Sequence, residues 1–152
     1  MSKPVLGWRE WVALPELGIE AIKAKVDTGA RTSALHAFRV EAFERGGEAW
    51  VRFSMHPLQN NDEHVVECEA RVLDQRQVRD SGGHTELRYV IETTILIGGN
   101  ATPAELTLTD RDTMKFRMLL GRTAIRRHYL VDPGRSYLSR PPPGRTRKST
   151  TP

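Results

Sequence analysis

Short runs rich in β-branched and aromatic residues, each stopped by a turn signal, fill almost the whole chain, and this spacing most constrains its fold. LGWREWVAL (6–14) and GIEAIKAKV (18–26) flank PELG, which predicts a hairpin connection. SALHAFRVEAF (33–43) and AWVRFSM (49–55) flank ERGGE, a second turn. After the polar stretch 57–63, HVVECEARVL (64–73) roughly alternates. QVRDSGGHTELRYVIETTILIGG then reads as two β arms around a tip at Asp80-Ser81-Gly82-Gly83-His84. AELTLTD (104–110) alternates cleanly, and MLLG (118–121) is a short buried run. RTAIRRHYL (122–130) has the composition of a short helix, and VDPGRSYL (131–138) predicts a turn and a last strand. The pattern predicts a small all-β barrel or sandwich with one short C-terminal helix.

Charge helps to divide the chain. The formal charge is +4, but residues 139–152 hold Arg140, Arg145, Arg147 and Lys148 and no acid. Without those four, residues 1–138 carry 19 basic and 19 acidic side chains. A neutral folded part argues against a nucleic-acid-binding domain, which needs its basic residues on a folded face. We therefore expect one domain over 1–138 and a disordered basic tail over 139–152. No apolar run reaches the roughly 20 residues needed to cross a bilayer. The N-terminus does not read as a signal peptide, and the single cysteine, Cys68, suits a reducing compartment. The expected location is the cytoplasm.

Within this pattern KAKVDTGARTSAL (23–35) stands out, because Asp27 falls where a core-forming strand runs out. A lone carboxylate there is costly unless another group shares its proton or charge.

Three features together resemble the retropepsin type of aspartic peptidase, and in particular the bacterial retropepsin-like family often labelled RimK-related ATP-dependent zinc protease. They are Asp27-Thr28-Gly29-Ala30 after an alternating strand, Met118-Leu119-Leu120-Gly121-Arg122 before a short helix, and the glycine-tipped hairpin between them. DRDTMKFRMLLGR and YLVDPGRSYL also resemble phrases of the bacterial family. The resemblance covers about 6–138. It implies a retropepsin-like acid-protease barrel, catalysis by Asp27, and a flap formed by Ser81, Gly82 and Gly83. It also implies a functional link to RimK-type ligases, which add glutamates to a ribosomal protein.

The chemistry explains these residue types. Hydrolysis by this route needs two carboxylates close enough to share one proton, one acting as base toward water and one as acid. The chain has one DTG, so a homodimer is expected to bring Asp27 from each protomer to the two-fold axis. Thr28 would orient the carboxylates by bonding across to the partner loop. Gly29 would permit the turn and a close approach of substrate backbone. Retroviral relatives usually carry an aspartate after DTGA, able to pair with the arginine of the LLGR-type motif; here that position is Arg31. Ala30, Arg31 and Arg122 are therefore expected to contact substrate at the cleft rim. Asp110, Asp112 or substrate carboxylates would balance the two arginines. An acidic or glutamate-extended peptide is the expected substrate.

Two rival readings stand beside this one. In one, the chain is a non-catalytic peptide-binding module of the same fold partnering a RimK-type ligase; in the other, it is a zinc-dependent peptidase. For the latter, HExxH is absent, and only His56, His64 and Cys68 have suggestive spacing. That spacing suits surface and strand-edge residues as well, so no metal is expected, and without a phosphate-cradling glycine loop no nucleotide cofactor is expected either. Trp8, Trp11, Trp50 and Tyr137 are expected to pack on the sheet, with Trp8, Trp11 and Tyr137 as candidate dimer contacts.

Overall fold

The computed structural model describes residues 3–57, 63–79, 82–109 and 116–140. The strands are β1 (Val5–Leu6), β2 (Arg9–Leu14), β3 (Ile19–Asp27), β4 (Ser33–His36), β5 (Phe38–Arg45) and β6 (Glu48–Met55). They continue as β7 (Val66–Arg79), β8 (Thr85–Ile97), β9 (Asn100–Thr109), β10 (Met118–Gly121) and β11 (Leu130–Val131). One helical turn, α1 (Arg122–Ile125), follows β10. Among the described residues no helix is long and apolar enough to cross a membrane.

Nine strands form one sheet in the order β2-β3-β10-β4-β9-β8-β7-β6-β5. The sheet curls until Ala13 of β2 pairs with Leu96 of β8, so six strands close on themselves through a single residue pair. Strand β8 makes this possible because it is used twice. Its first half pairs with β7, while its far end meets β2. Strands β5, β6 and β7 therefore extend the sheet beyond the closed part. The expected all-β, retropepsin-like architecture is present, though the closure is not a continuous ladder.

Alternation places the core. Leu14, Ile22, Leu35, Ile91, Leu106 and Leu120 are all fully buried. Val51, Phe53 and Met55 point from one face of β6 into the same core. The ERGGE turn has Gly46 at φ 60° and Gly47 at φ 80°, the paired left-handed conformation that suits a two-residue hairpin. PELG is a 3-10 turn over Pro15–Leu17, and the Glu16 carboxylate accepts from Thr94 N–H at 2.7 Å. That bond ties the β2–β3 connection to β8 close to where the sheet closes.

Three expectations need correction. The run 33–43 breaks at Ala37, since β4 enters the sheet between β10 and β9 while β5 pairs with β6 at its far edge. The helix ends at Ile125, not at 130, because Leu130 and Val131 pair in parallel with Val5 and Leu6. The last strand expected within 131–138, beyond its turn, is absent. After the turn, Trp8 N–H donates to the Arg135 carbonyl and Tyr137 N–H to the Arg9 carbonyl without forming one, and a side chain adds the rest of the hold.

The holding group is Glu10, a fully buried residue that looks in the sequence like an outward polar position of β2. Its Oε2 accepts from Gly7 N–H at 2.7 Å and from Leu138 N–H at 2.9 Å. Its Oε1 accepts from Ser139 N–H at 3.1 Å and Ser139 Oγ–H at 2.6 Å. Buried charge is tolerated when hydrogen bonds satisfy it in this way. Tyr137 stacks on Trp11, and the Arg9 guanidinium lies 4.6 Å from the Trp8 ring centre and 5.0 Å from that of Tyr137. The aromatic residues thus pack within one chain. Packing reaches Ser139, one residue past the boundary expected after 138; residues 141–152 of the expected tail lie outside the described residues.

Glu10→Ala leaves these donors unsatisfied and should cost about 3 kcal/mol, a fall of roughly 10 °C in Tm. Glu44→Ala, at an exposed position of β5, should stay within about 0.5 kcal/mol in the same thermal melt.

Candidate active site

Asp27 ends β3, and the chain then loops through Thr28–Thr32 into β4. Strand β10 lies between those two strands, parallel to β3 and antiparallel to β4. In register, Gly121 sits beside Asp27 and Leu120 beside Val26. The Asp27 loop must therefore open around the end of β10, and Gly121 occupies the crossing. A Cβ on Gly121 would lie 2.5 Å from the Thr32 carbonyl carbon and 2.8 Å from Ser33 N. Only glycine fits there.

The crossing also supplies hydrogen bonds. Gly121 N–H donates to the buried Ser33 Oγ at 2.9 Å. Arg122 N–H donates to the Ala30 carbonyl at 2.7 Å, and Thr123 N–H to the Arg31 carbonyl at 3.0 Å. Arg122 Nη1 donates to the Thr28 carbonyl at 3.1 Å. The loop is thus braced at Thr28, Ala30, Arg31 and Ser33 by three consecutive residues. Inside it, Gly29 N–H donates to Asp27 Oδ1 at 3.0 Å, which fixes the carboxylate plane. The other oxygen, Oδ2, accepts no hydrogen bond among the described residues. Asp27 is half-buried, while Thr28 and Gly29 are exposed.

A groove of about 1020 Å³ begins three residues beyond Asp27. Ala30, Arg31 and Thr32 form one part of its wall; Arg76–Arg79 of β7 and Arg88 of β8 form another. Asp27 itself is not in that wall. The stem of the β7–β8 hairpin, rather than its glycine tip, meets the groove: Gly82 and Gly83 are exposed at the tip, and Ser81 lies outside the described residues. Arg122 likewise braces Thr28 and does not line the groove. Asp110 and Asp112, expected to balance the arginines, also lie outside the described residues.

The groove arginines differ in their surroundings. Arg76 Nε bonds Asp74 at 3.0 Å and its Nη2 bonds Glu105 at 3.0 Å; the Asp74 bond, then the Glu105 bond, push its guanidinium above the usual range. Arg88 bonds Glu86 at 3.0 Å, with a side chain only 12% exposed. The sequence reading singled out neither these residues nor Ser33. The only signal was basic residues recurring through QRQVRD, which looks the same as a solvated strand face.

Of the suggested metal ligands, Cys68 is buried and donates to the Leu17 carbonyl at 3.4 Å. Burial, with a smaller contribution from the Glu67 charge, pushes its thiol up to about 12. His56 stacks on Phe38, with its Nδ1 3.3 Å from the His64 carbonyl. Among the described residues no three His, Cys, Asp or Glu side chains gather as a metal would require.

A family model described as retropepsin-like aspartic endopeptidase RimB matches residues 5–142, a span that holds both the Asp-Thr-Gly loop and the Leu-Leu-Gly strand. The chain belongs to the RimB-like family. Its curated relatives include a probable alpha-L-glutamate ligase of Shewanella pealeana, 51% identical over 136 residues, and one of Parasynechococcus marenigrum, 50% identical over 135. These alignments cover 90% and 89% of this chain but only 30% and 29% of the relatives, so the RimB-like chain spans under a third of their length. Among solved structures, a Legionella pneumophila protein of unknown function (DUF785) superposes with a TM-score of 0.75 at 25% identity. That match covers 90% of this chain and 98% of the other.

Gly121→Ala should destabilise the RimB-like fold by about 3 kcal/mol in urea unfolding, since backbone, not a flexible side chain, must move. Cys68 should resist an alkylating reagent at pH 8 in the native protein and react fully in denaturant, because its thiol stays protonated until about pH 12.

Proposed function

We propose that this chain is an aspartic-type peptidase that works as a homodimer in the cytoplasm, with Asp27 of each protomer at the two-fold axis. The observation that carries this reading is the state of Asp27. One carboxylate oxygen is fixed by Gly29 N–H, the other has no partner among the described residues, and the exposed loop is braced from behind. A rigid carboxylate presented at a surface is suited to meet a second copy of itself.

In that dimer the paired carboxylates hold one proton between them, because like charges at contact distance cannot both ionise. The ionised one takes a proton from water as its oxygen attacks the substrate carbonyl carbon. The protonated one hydrogen-bonds the carbonyl oxygen. Breakdown of the tetrahedral adduct returns a proton to the amide nitrogen as the C–N bond breaks, leaving a carboxylic acid and an amine. Thr28 orients the loops, and Gly29 and Ala30 let the substrate backbone approach. The hairpin limits water around the substrate. Arg31 favours acidic or glutamate-extended peptides. Relatives named probable alpha-L-glutamate ligase support this substrate, since a hydrolase of glutamate amide bonds would act on what a ligase makes.

The same relatives favour a second reading, a peptide-binding module that serves a ligase without catalysis. Asp27→Asn, tested on glutamate-extended and unextended peptides with mass measured in solution, separates the two. The peptidase reading expects a dimer in the parent protein, a fall of about 10³-fold in kcat in the variant, and turnover unchanged by a chelator. Equal turnover by parent and variant would refute it. Binding without turnover by either would favour the module.

A further inference from the structure

Of the four arginines in the groove wall, two are already neutralised. Arg76 is shared between Asp74 and Glu105, and Arg88 is held by Glu86. Arg31 and Arg79 are exposed and make no side-chain hydrogen bond or ion pair among the described residues. They come from different elements. Arg31 lies in the Asp27 loop, where its carbonyl is held by Thr123 N–H, and Arg79 is the last residue of β7, opposite Thr85. Of the two acids in the wall, Glu105 is engaged by Arg76, which leaves Glu92 against two unsatisfied guanidinium groups.

We propose that Arg31 and Arg79 are the specificity-determining pair of this groove, and that the dimer reads carboxylates on both sides of the bond it cuts. A planar guanidinium matches a carboxylate with two parallel hydrogen bonds, so free arginines select acidic side chains more sharply than a diffuse positive surface does. The volume of about 1020 Å³ suits several residues of extended chain rather than one small anion. The second part rests on the homodimer reading above. A two-fold axis through the Asp27 pair duplicates the groove, placing one Arg31–Arg79 pair toward each end of the bound peptide. Recognition is then symmetric about the cut. A peptide with acids on one side only uses half of the site, so cleavage falls inside an acidic run rather than at its border. A nucleic acid also offers anions, but its phosphates would have to enter a groove that adjoins the peptide-cleaving loop.

The test uses the full chain carrying Asp27→Asn, so that binding is measured without turnover. Four labelled peptides of equal length carry glutamates on both sides of a central pair, on the N-terminal side only, on the C-terminal side only, or glutamine throughout. The two-sided peptide should bind about tenfold more tightly than either one-sided peptide, and the glutamine peptide most weakly. Arg31→Gln and Arg79→Gln should each weaken the two-sided peptide about tenfold and leave the glutamine peptide unchanged, while Arg71→Gln on the outer strands should change neither. Three results overturn the proposal: Arg79→Gln binding like its parent, one-sided peptides binding as tightly as two-sided ones, or a single-stranded oligonucleotide displacing the acidic peptide at equal concentration. Turnover by the Asp27 protein is measured separately. Charge-selective, two-sided binding with no turnover removes the peptidase reading, and with it the cut, and leaves the Arg31–Arg79 recognition of acidic chain standing.

Discussion

At the crossing of β10 and the Asp27 loop, two stretches of backbone approach so closely that no side chain fits between them. Gly121 lies against Thr32 and Ser33, and from that contact run the bonds to Ser33 Oγ, the Ala30 carbonyl and the Arg31 carbonyl. These bonds span residues 30 to 33, while Asp27 and Gly121 are register partners on the neighbouring strands. The position of the carboxylate is therefore set by main-chain packing, which is stiffer than any arrangement of long side chains. Arg122 adds to this. Its guanidinium donates to the Thr28 carbonyl. Arg31, exposed in the same loop, lines the groove.

How much could be read from the sequence follows from the same physics. The Leu-Leu-Gly element was legible because close backbone contact admits only glycine at 121, and the Asp-Thr-Gly element because a carboxylate at the end of a core strand stands out. The hairpins at PELG and ERGGE were legible for a similar reason, since left-handed backbone selects glycine. Glu10 was not. A glutamate in an alternating strand looks solvent-facing, and it is buried only because residues 137–139 return over it from the far end of the chain. The helix read over 122–130 stops at Ile125 because Leu130 and Val131 pair with β1, a partner more than 120 positions away. Nothing local signals such a contact.

The arginines make the same point in electrostatic terms. Residues 1–138 are neutral overall, and the neutrality is real, yet it says little about any one surface. Asp74 and Glu86 meet Arg76 and Arg88 from two positions away on the same strand, and Glu105 reaches Arg76 from β9, each at 3.0 Å. Arg79, opposite Thr85, and Arg31, in the Asp27 loop, make no such pair among the described residues. A count of charges cannot separate a paired guanidinium from a free one, whereas the folded positions of the acids can.

The ends of the chain bear on how two copies would meet. Tyr137 N–H donates to the Arg9 carbonyl at 2.9 Å, and Leu138 and Ser139 are held by Glu10, so the segment before residue 140 is committed to its own β2. Its aromatic ring is likewise stacked on Trp11 of the same protomer. Exchange of terminal strands between copies would first have to break those bonds, at a cost of several hydrogen bonds to a buried carboxylate. A dimer built around Asp27 then has to draw its contact area from the loop itself and the nearby groove walls. Interfaces well under the usual area hold together weakly. In the dimer proposed above, a peptide lying across both grooves would add the missing contact, so assembly of the carboxylate pair would be tied to the arrival of that peptide.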